Sequence, residues 1–165
     1  MIEFMLLSAP RCATTWASNW LTTDKTLCLH DPLWTKHYSE LDSIQSTRRV
    51  GLACTGLFKF PEFVNAHPAK KVILHRPLVE INRSLQRIGM PEMSQKAIDE
   101  LWAIDGKHVA WTALFDHPAT IYEHLTGMEF DKERYDLLRE MEIQPYFAEL
   151  RVGPDVTKRL LGELR

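Results

Sequence analysis

The chain has 165 residues, 45% of them hydrophobic and 25% charged, the balance of a globular chain with one core and one domain. A formal net charge of −2 gives no global reason to expect binding to nucleic acid or to an acidic membrane surface, and moves the question to where the arginines cluster. No window approaches the ~18 apolar residues that would span a bilayer.

The opening "MIEFMLLSAPRCATTW" lacks the basic start and long apolar core of a secretory signal. Three widely spaced cysteines (Cys12, Cys28 and Cys54) suggest neither a disulfide framework nor a C-x-x-C site. Seven histidines contain no H-E-x-x-H and no i, i+4 pair, so no metal is expected. The expectation is a cytoplasmic protein without nucleic-acid or membrane partners.

Residues 3–9, "EFMLLSA", form the first apolar run and read as a strand. "TTWASNWL" follows, with Trp16, Ala17, Trp20 and Leu21 on one helical stripe. "LCLH" (27–30) is a candidate short strand. The polar stretch "HYSELDSIQSTRR" (37–49) reads as a surface connection or a mobile lid. "VGLACTG" (50–56) and "KVILHR" (71–76) are further strands. Their apolar character is continuous rather than alternating, as in strands covered on both faces of a parallel sheet.

"PLVEINRSLQRIG" repeats Leu78, Ile81, Leu85 and Ile88, with Pro77 in its first turn and Gly89 at its end. "SQKAIDELWAIDG" (94–106) places Ala97, Ile98, Leu101 and Trp102 on a packing face. "HVAWTALF" (108–115) reads as the last strand. "FDKERYDLLREMEI" (130–143) has Asp131 as N-cap, with Phe130 and Tyr135 spaced as a hydrophobic staple. Strands alternating with helices predict a three-layer α/β/α fold around a mainly parallel sheet of four or five strands.

"PRCATTW" (10–16) links the first strand to the first helix, the geometry of a phosphate cradle. First-turn N–H groups lack helical partners, and the helix dipole adds positive potential there. Thr14 and Thr15 supply hydroxyls, and Arg11 a planar fork able to hold two oxygens. There is no G-x-x-x-x-G-K-[ST], which argues against a nucleoside-triphosphate site. A plain helix cap, with Thr14 as N-cap, remains the alternative at this point.

These residues resemble the 5′-phosphosulfate loop of the PAPS-dependent sulfotransferases, usually P-[KR]-[ST]-G-T-T-x and often followed by Trp. Pro10, Arg11, Thr14, Thr15 and Trp16 match; Cys12 stands where Ser or Thr is usual, and Ala13 where Gly is usual. If that position needs a positive φ, the Ala13 Cβ is costly. The family's second signature is an arginine ending a strand and a serine eight positions on. Arg76 and Ser84 in "VILHRPLVEINRSLQRIG" supply it, with Pro77 directly after the arginine where the usual R-[ND]-P-x-[DE]-x-x-x-S has one residue between them. "HVAWTALFDHPATIYEHLTG" resembles a further family segment.

The resemblance implies a P-loop-like sulfotransferase fold with 3′-phosphoadenylyl sulfate (PAPS) as donor and PAP as product, without a metal. It implies that Arg11, Thr14 and Thr15 hold the 5′-phosphate and that Arg76 and Ser84 hold the 3′-phosphate; Trp16 either stacks on adenine, as the resemblance implies, or is a core tryptophan of the first helix. In "LHDPLW", Asp31 or His30 is the candidate base; a turn formed by Asp-Pro is the simpler alternative. The acceptor would be a small molecule or a glycan, and a homo-oligomer is left open. The family's C-terminal R-K-G-x-x-G-x-W-K clamp has no convincing counterpart in "LRVGPDVTKRLLGELR", where only Arg151 and Gly153 match. A catalytically inactive PAP- or PAPS-binding relative, or a divergent P-loop phosphotransferase, are the competing expectations.

Overall fold

A computed structural model describes residues 1–141. Five strands form one all-parallel sheet: β1 (Ile2–Ser8), β2 (Thr26–His30), β3 (Arg49–Cys54), β4 (Lys70–His75) and β5 (Lys107–Ala110). Their order across the sheet is β2-β3-β1-β4-β5. Strand β1 lies at the centre, with Leu7 opposite Cys54 on one side and Ile73 on the other. Every residue of β1 except Glu3 is buried, which is why the run reads as continuously apolar.

Among the described residues, seven α-helices connect and cover the strands: α1 (Thr14–Trp20), α2 (Pro61–Ala66), α3 (Leu78–Gln86), α4 (Gln95–Trp102), α5 (Ala113–Asp116), α6 (Pro118–Thr126) and α7 (Lys132–Glu140). Helices flanking a five-stranded parallel sheet give the expected α/β architecture in three layers. α1, α6 and α7 meet in an aromatic cluster. Trp20 lies 5.5 Å from both Tyr122 and Tyr135, and Phe130 lies 5.3 Å from Tyr135, between ring centroids. Arg134 of α7 donates to the carbonyls of Asn19 and Thr22, closing the end of α1. Elsewhere, Lys59 pairs with Glu100 of α4 at 2.6 Å, and Asn65 of α2 bonds the chain just beyond α4 at Ala103 and Asp105.

Local signals account for several boundaries. Asp131 caps α7 through its carboxylate, which accepts from the Arg134 N–H at 2.9 Å, and the Phe130–Tyr135 staple forms. Ser94 caps α4 in the same way. Gly51 of β3 lies under the Phe4 ring, where an added Cβ would come within 2.0 Å of a ring carbon. Close approach of two strands, rather than a turn, requires that glycine.

Two expectations need correction. The apolar run 108–115 is not all strand: β5 ends at Ala110, and Ala113–Asp116 is helical. The segment 37–49 is a surface connection but not a free lid. It holds a 3-10 turn, Tyr38–Ser43, with a His37/Glu40 capping box. Asp42 Oδ1 accepts from the Ile2 N–H at 2.8 Å, and Asp42 Oδ2 lies 3.0 Å from His67 Nε2. Among the described residues, no helix is long and apolar enough to cross a membrane, and no group of three or more His, Cys, Asp or Glu side chains could hold a metal.

Candidate functional site at the carboxyl edge of the sheet

The chain leaves β1 toward β2 at one edge of the sheet and leaves β4 toward β5 at the other. The space above the carboxyl ends of β1 and β4 is therefore a topological switch point, the usual ligand crevice of an open parallel sheet. Arg11 follows β1, and Arg76 follows β4. The ends of β2 and β3 bring His30, Asp31 and Thr55 to the same edge.

The two arginine motifs, 65 residues apart, touch. Arg76 Nη1 donates to the Arg11 carbonyl at 2.5 Å, and Arg11 Nε donates to Ser84 Oγ at 3.0 Å. Arg76 is oriented from two further sides, by Glu80 Oε2 at 3.1 Å and by the Trp111 ring, 4.5 Å from the guanidinium carbon to the centroid. Arg11, Arg76 and Ser84 are all partly exposed, so the cluster can be reached from solvent.

The loop itself is not a simple helix cap. Ala13, not Thr14, is the N-cap residue, and it makes no side-chain capping bond. Its backbone is left-handed, φ 61° and ψ 28°, and Arg11 also has φ 67°. A left-handed residue followed by a right-handed one turns successive N–H groups toward a common concavity, an anion nest. Among the described residues, no backbone acceptor lies opposite the N–H groups of residues 12–15. Position 13 therefore meets the condition under which its Cβ is costly, and the chain adopts the positive φ without glycine.

His30 faces the cradle from β2. Its Nε2 lies 3.3 Å from Thr14 Oγ1, 3.2 Å from Thr15 Oγ1 and 3.3 Å from Asp31 Oδ2. Asp31 Oδ1 accepts from the Thr55 N–H at 2.5 Å and from its hydroxyl at 3.0 Å. Asp31 has φ 40°, so all three non-glycine residues with positive φ among those described lie in this one cluster. Each costs of order 1–3 kcal/mol and persists only where its surroundings over-determine it, a pattern that concentrates at functional sites. Beside Asp31, a cavity of about 400 Å³ is lined by Leu33, Trp34, Cys54, Thr55 and Gly56, and the Trp34 side chain is 85% exposed.

Cys12 is buried under the loop, and burial pushes its thiol up to about 12, against the pull of Arg76, Ser8 and Arg11. It is a packing residue there, not a nucleophile.

Trp16 takes the core alternative rather than the stacking one. Its indole lies among Trp20, Phe115 and Tyr135 at 5.3–5.6 Å, and its Nε1–H donates to the Leu138 carbonyl at 3.0 Å. It ties α1 to α7, so adenine stacking is not the role its surroundings support. Arg11, Thr14, Thr15, Arg76, Ser84, His30 and Asp31 do converge. Thr55 completes the cluster and carried no signal beyond its place at the end of an apolar run. The segment carrying Arg151 and Gly153 lies outside the described residues.

No protein-family model matches the chain, and no curated protein matches it.

Proposed function

We propose that the carboxyl-edge cluster binds a 3′,5′-bisphosphorylated adenine nucleotide and that the chain is a PAPS-dependent sulfotransferase. The observation that carries this reading is the contact of Arg11 with Ser84 and of Arg76 with the Arg11 carbonyl. Two motifs matched separately to the two phosphates of one nucleotide meet at the switch point of the sheet. Absence of a Walker lysine beside this loop favours a metal-free phosphosulfate over a magnesium triphosphate.

In this reading, Arg11 and the hydroxyls of Thr14 and Thr15 hold the 5′-phosphate, with the loop N–H groups as further donors. Arg76 and Ser84 hold the 3′-phosphate. PAPS, when bound, supplies a sulfuryl group on a phosphate leaving group. Arg11 then sits where charge accumulates on that phosphate, and its fixed guanidinium stabilises the charge without reorganising. His30 and Asp31 are the candidate bases for the acceptor, their side chains 3.3 Å apart and next to the cradle threonines. The cavity beside Asp31 is the place for an acceptor, a small molecule or a glycan.

Thermal shift and calorimetry with PAP, ATP–Mg²⁺ and GTP–Mg²⁺ test the reading. PAP alone stabilises the wild-type protein, by about 2.7 kcal/mol at a hundredfold excess over Kd. Arg11→Ala, Arg76→Ala and Ser84→Ala each remove or reduce the shift. No response to PAP, or an equal response to ATP–Mg²⁺, overturns it. PAP binding without sulfuryl transfer to any acceptor would identify a nucleotide-binding relative instead.

A further inference from the structure

A second cavity, about 470 Å³, opens where β4 and β5 end against α4. His75, Leu78, Gln95, Ile98, Trp102 and His108 are among its walls. None of these residues belongs to the proposed nucleotide cluster, although Arg76 reaches the same cavity.

The two histidines have assigned protons. His108 Nε2 lies 2.7 Å from the Ile104 carbonyl oxygen, which can only accept, so that nitrogen carries hydrogen. In the neutral ring, His108 Nδ1 is then a bare lone pair. His75 Nε2 lies 2.7 Å from it and must donate. One backbone carbonyl therefore fixes both tautomers. His75 Nδ1 is left as an acceptor with no donor among the described residues. Burial, and then the neighbouring His108, push His75 down to about 4, which keeps the ring neutral at neutral pH.

Trp102 lies flat over the pair. Its ring is 3.5 Å from His75 and 14° from parallel, and 5.1 Å from His108 and 4° from parallel, between centroids. Its side chain is nonetheless 55% exposed, although its helical position reads as core. A flat aromatic wall beside an unpartnered ring nitrogen, in a mainly apolar cavity whose other polar side chains include Gln95 and Arg76, selects its ligand by shape and by a polar match at that nitrogen. The Arg76 guanidinium is engaged with the Arg11 carbonyl, Glu80 and Trp111, and its charge disfavours a cationic guest.

We propose that this cavity binds an uncharged planar aromatic molecule whose N–H or O–H donates to His75 Nδ1. A guest without that donor desolvates the lone pair and leaves it unpaired, which weakens binding about tenfold or more.

Indole and 1-methylindole, equal in shape but for the blocked donor, are the probes, titrated calorimetrically into the whole chain. Indole binds saturably and at least tenfold more tightly than 1-methylindole. His75→Phe makes the two equal, Trp102→Ala weakens both, and Arg11→Ala leaves indole binding unchanged. The PAP response of His75→Phe stays as in wild type, so failure here and failure of the nucleotide reading are distinguishable. Should His75→Phe fold poorly, ¹⁵N spectra of the wild-type histidines serve instead. They show His75 protonated at Nε2, with the Nδ1 resonance moving on addition of indole only. Equal affinity for both probes, no saturable indole binding, discrimination that survives His75→Phe, or a His75 protonated at Nδ1 each overturns the proposal.

Discussion

Replacing Ala13 by glycine isolates the strain in the phosphate loop. Ala13 is held at φ 61° and ψ 28°, where an L-residue's Cβ crowds the following carbonyl at a cost of about 1–2 kcal/mol. Glycine removes that crowding but adds about 0.4–1 kcal/mol of unfolded-state entropy to be lost on folding. The net expectation is a gain of about 0.5–1 kcal/mol, a rise in Tm of about 1–4 °C for a chain of this size. Urea and thermal denaturation measure it. Ala103 is the control: exposed, at φ −80°, with no such crowding to relieve, so Ala103→Gly should only destabilise. If Ala13→Gly lowers stability as Ala103→Gly does, position 13 is not left-handed and the nest argument fails.

Gly51→Ala forces a methyl group into the Phe4 ring and should destabilise the fold by about 1–3 kcal/mol or more, read by urea titration. Trp16→Phe removes the bond to the Leu138 carbonyl and should cost about 1–2 kcal/mol while leaving PAP affinity unchanged; a selective loss of PAP binding would restore the adenine-stacking role. For His75, the folded value of about 4 lies below the unfolded 6.5, so the unfolded chain takes up the proton first. Stability is therefore complete above pH 6.5 and falls as pH drops toward 4. The loss is about 1–2 kcal/mol after allowance for solvent screening, and in His75→Phe this component should vanish.

What the sequence shows depends on how local each feature is. β1, β3 and β4 are legible because strands buried on both faces need unbroken apolar runs, and their ends fall within one or two residues of expectation. The run 108–115 misleads because periodicity cannot separate a short buried strand from a short buried helix. Polarity made 37–49 look mobile, but Asp42 anchors it through partners 25 and 40 residues away. Trp16 sits on a stripe that fits either a core or a stacking role, and only the positions of Phe115, Tyr135 and Leu138 decide between them. Cradle residues could be nominated from spacing within each motif. Their contact across 73 residues, and the His75–His108 pair across 33, are products of strand order that no local pattern encodes.

Strain and chemistry coincide at this edge, which decides how the base should be probed. Asp31 combines a left-handed backbone, at φ 40°, with a carboxylate held by two bonds from Thr55. Asp31→Ala removes both bonds and puts a residue less tolerant of that conformation in its place. It should cost about 2–4 kcal/mol, and lost transfer activity in it could reflect a shifted loop. Asparagine tolerates the left-handed region, and its Oδ1 can still accept from Thr55, so Asp31→Asn should stay within about 1 kcal/mol of wild type. It removes the charge and exchanges the oxygen that faces His30 for an amide N–H donor. If Asp31 is the base, or orients His30 as one, Asp31→Asn keeps its PAP shift and its Tm but loses transfer by 10²-fold or more. If His30 acts without Asp31, the asparagine variant retains transfer and His30→Ala alone abolishes it. Retained transfer in both single variants would exclude this pair as the base.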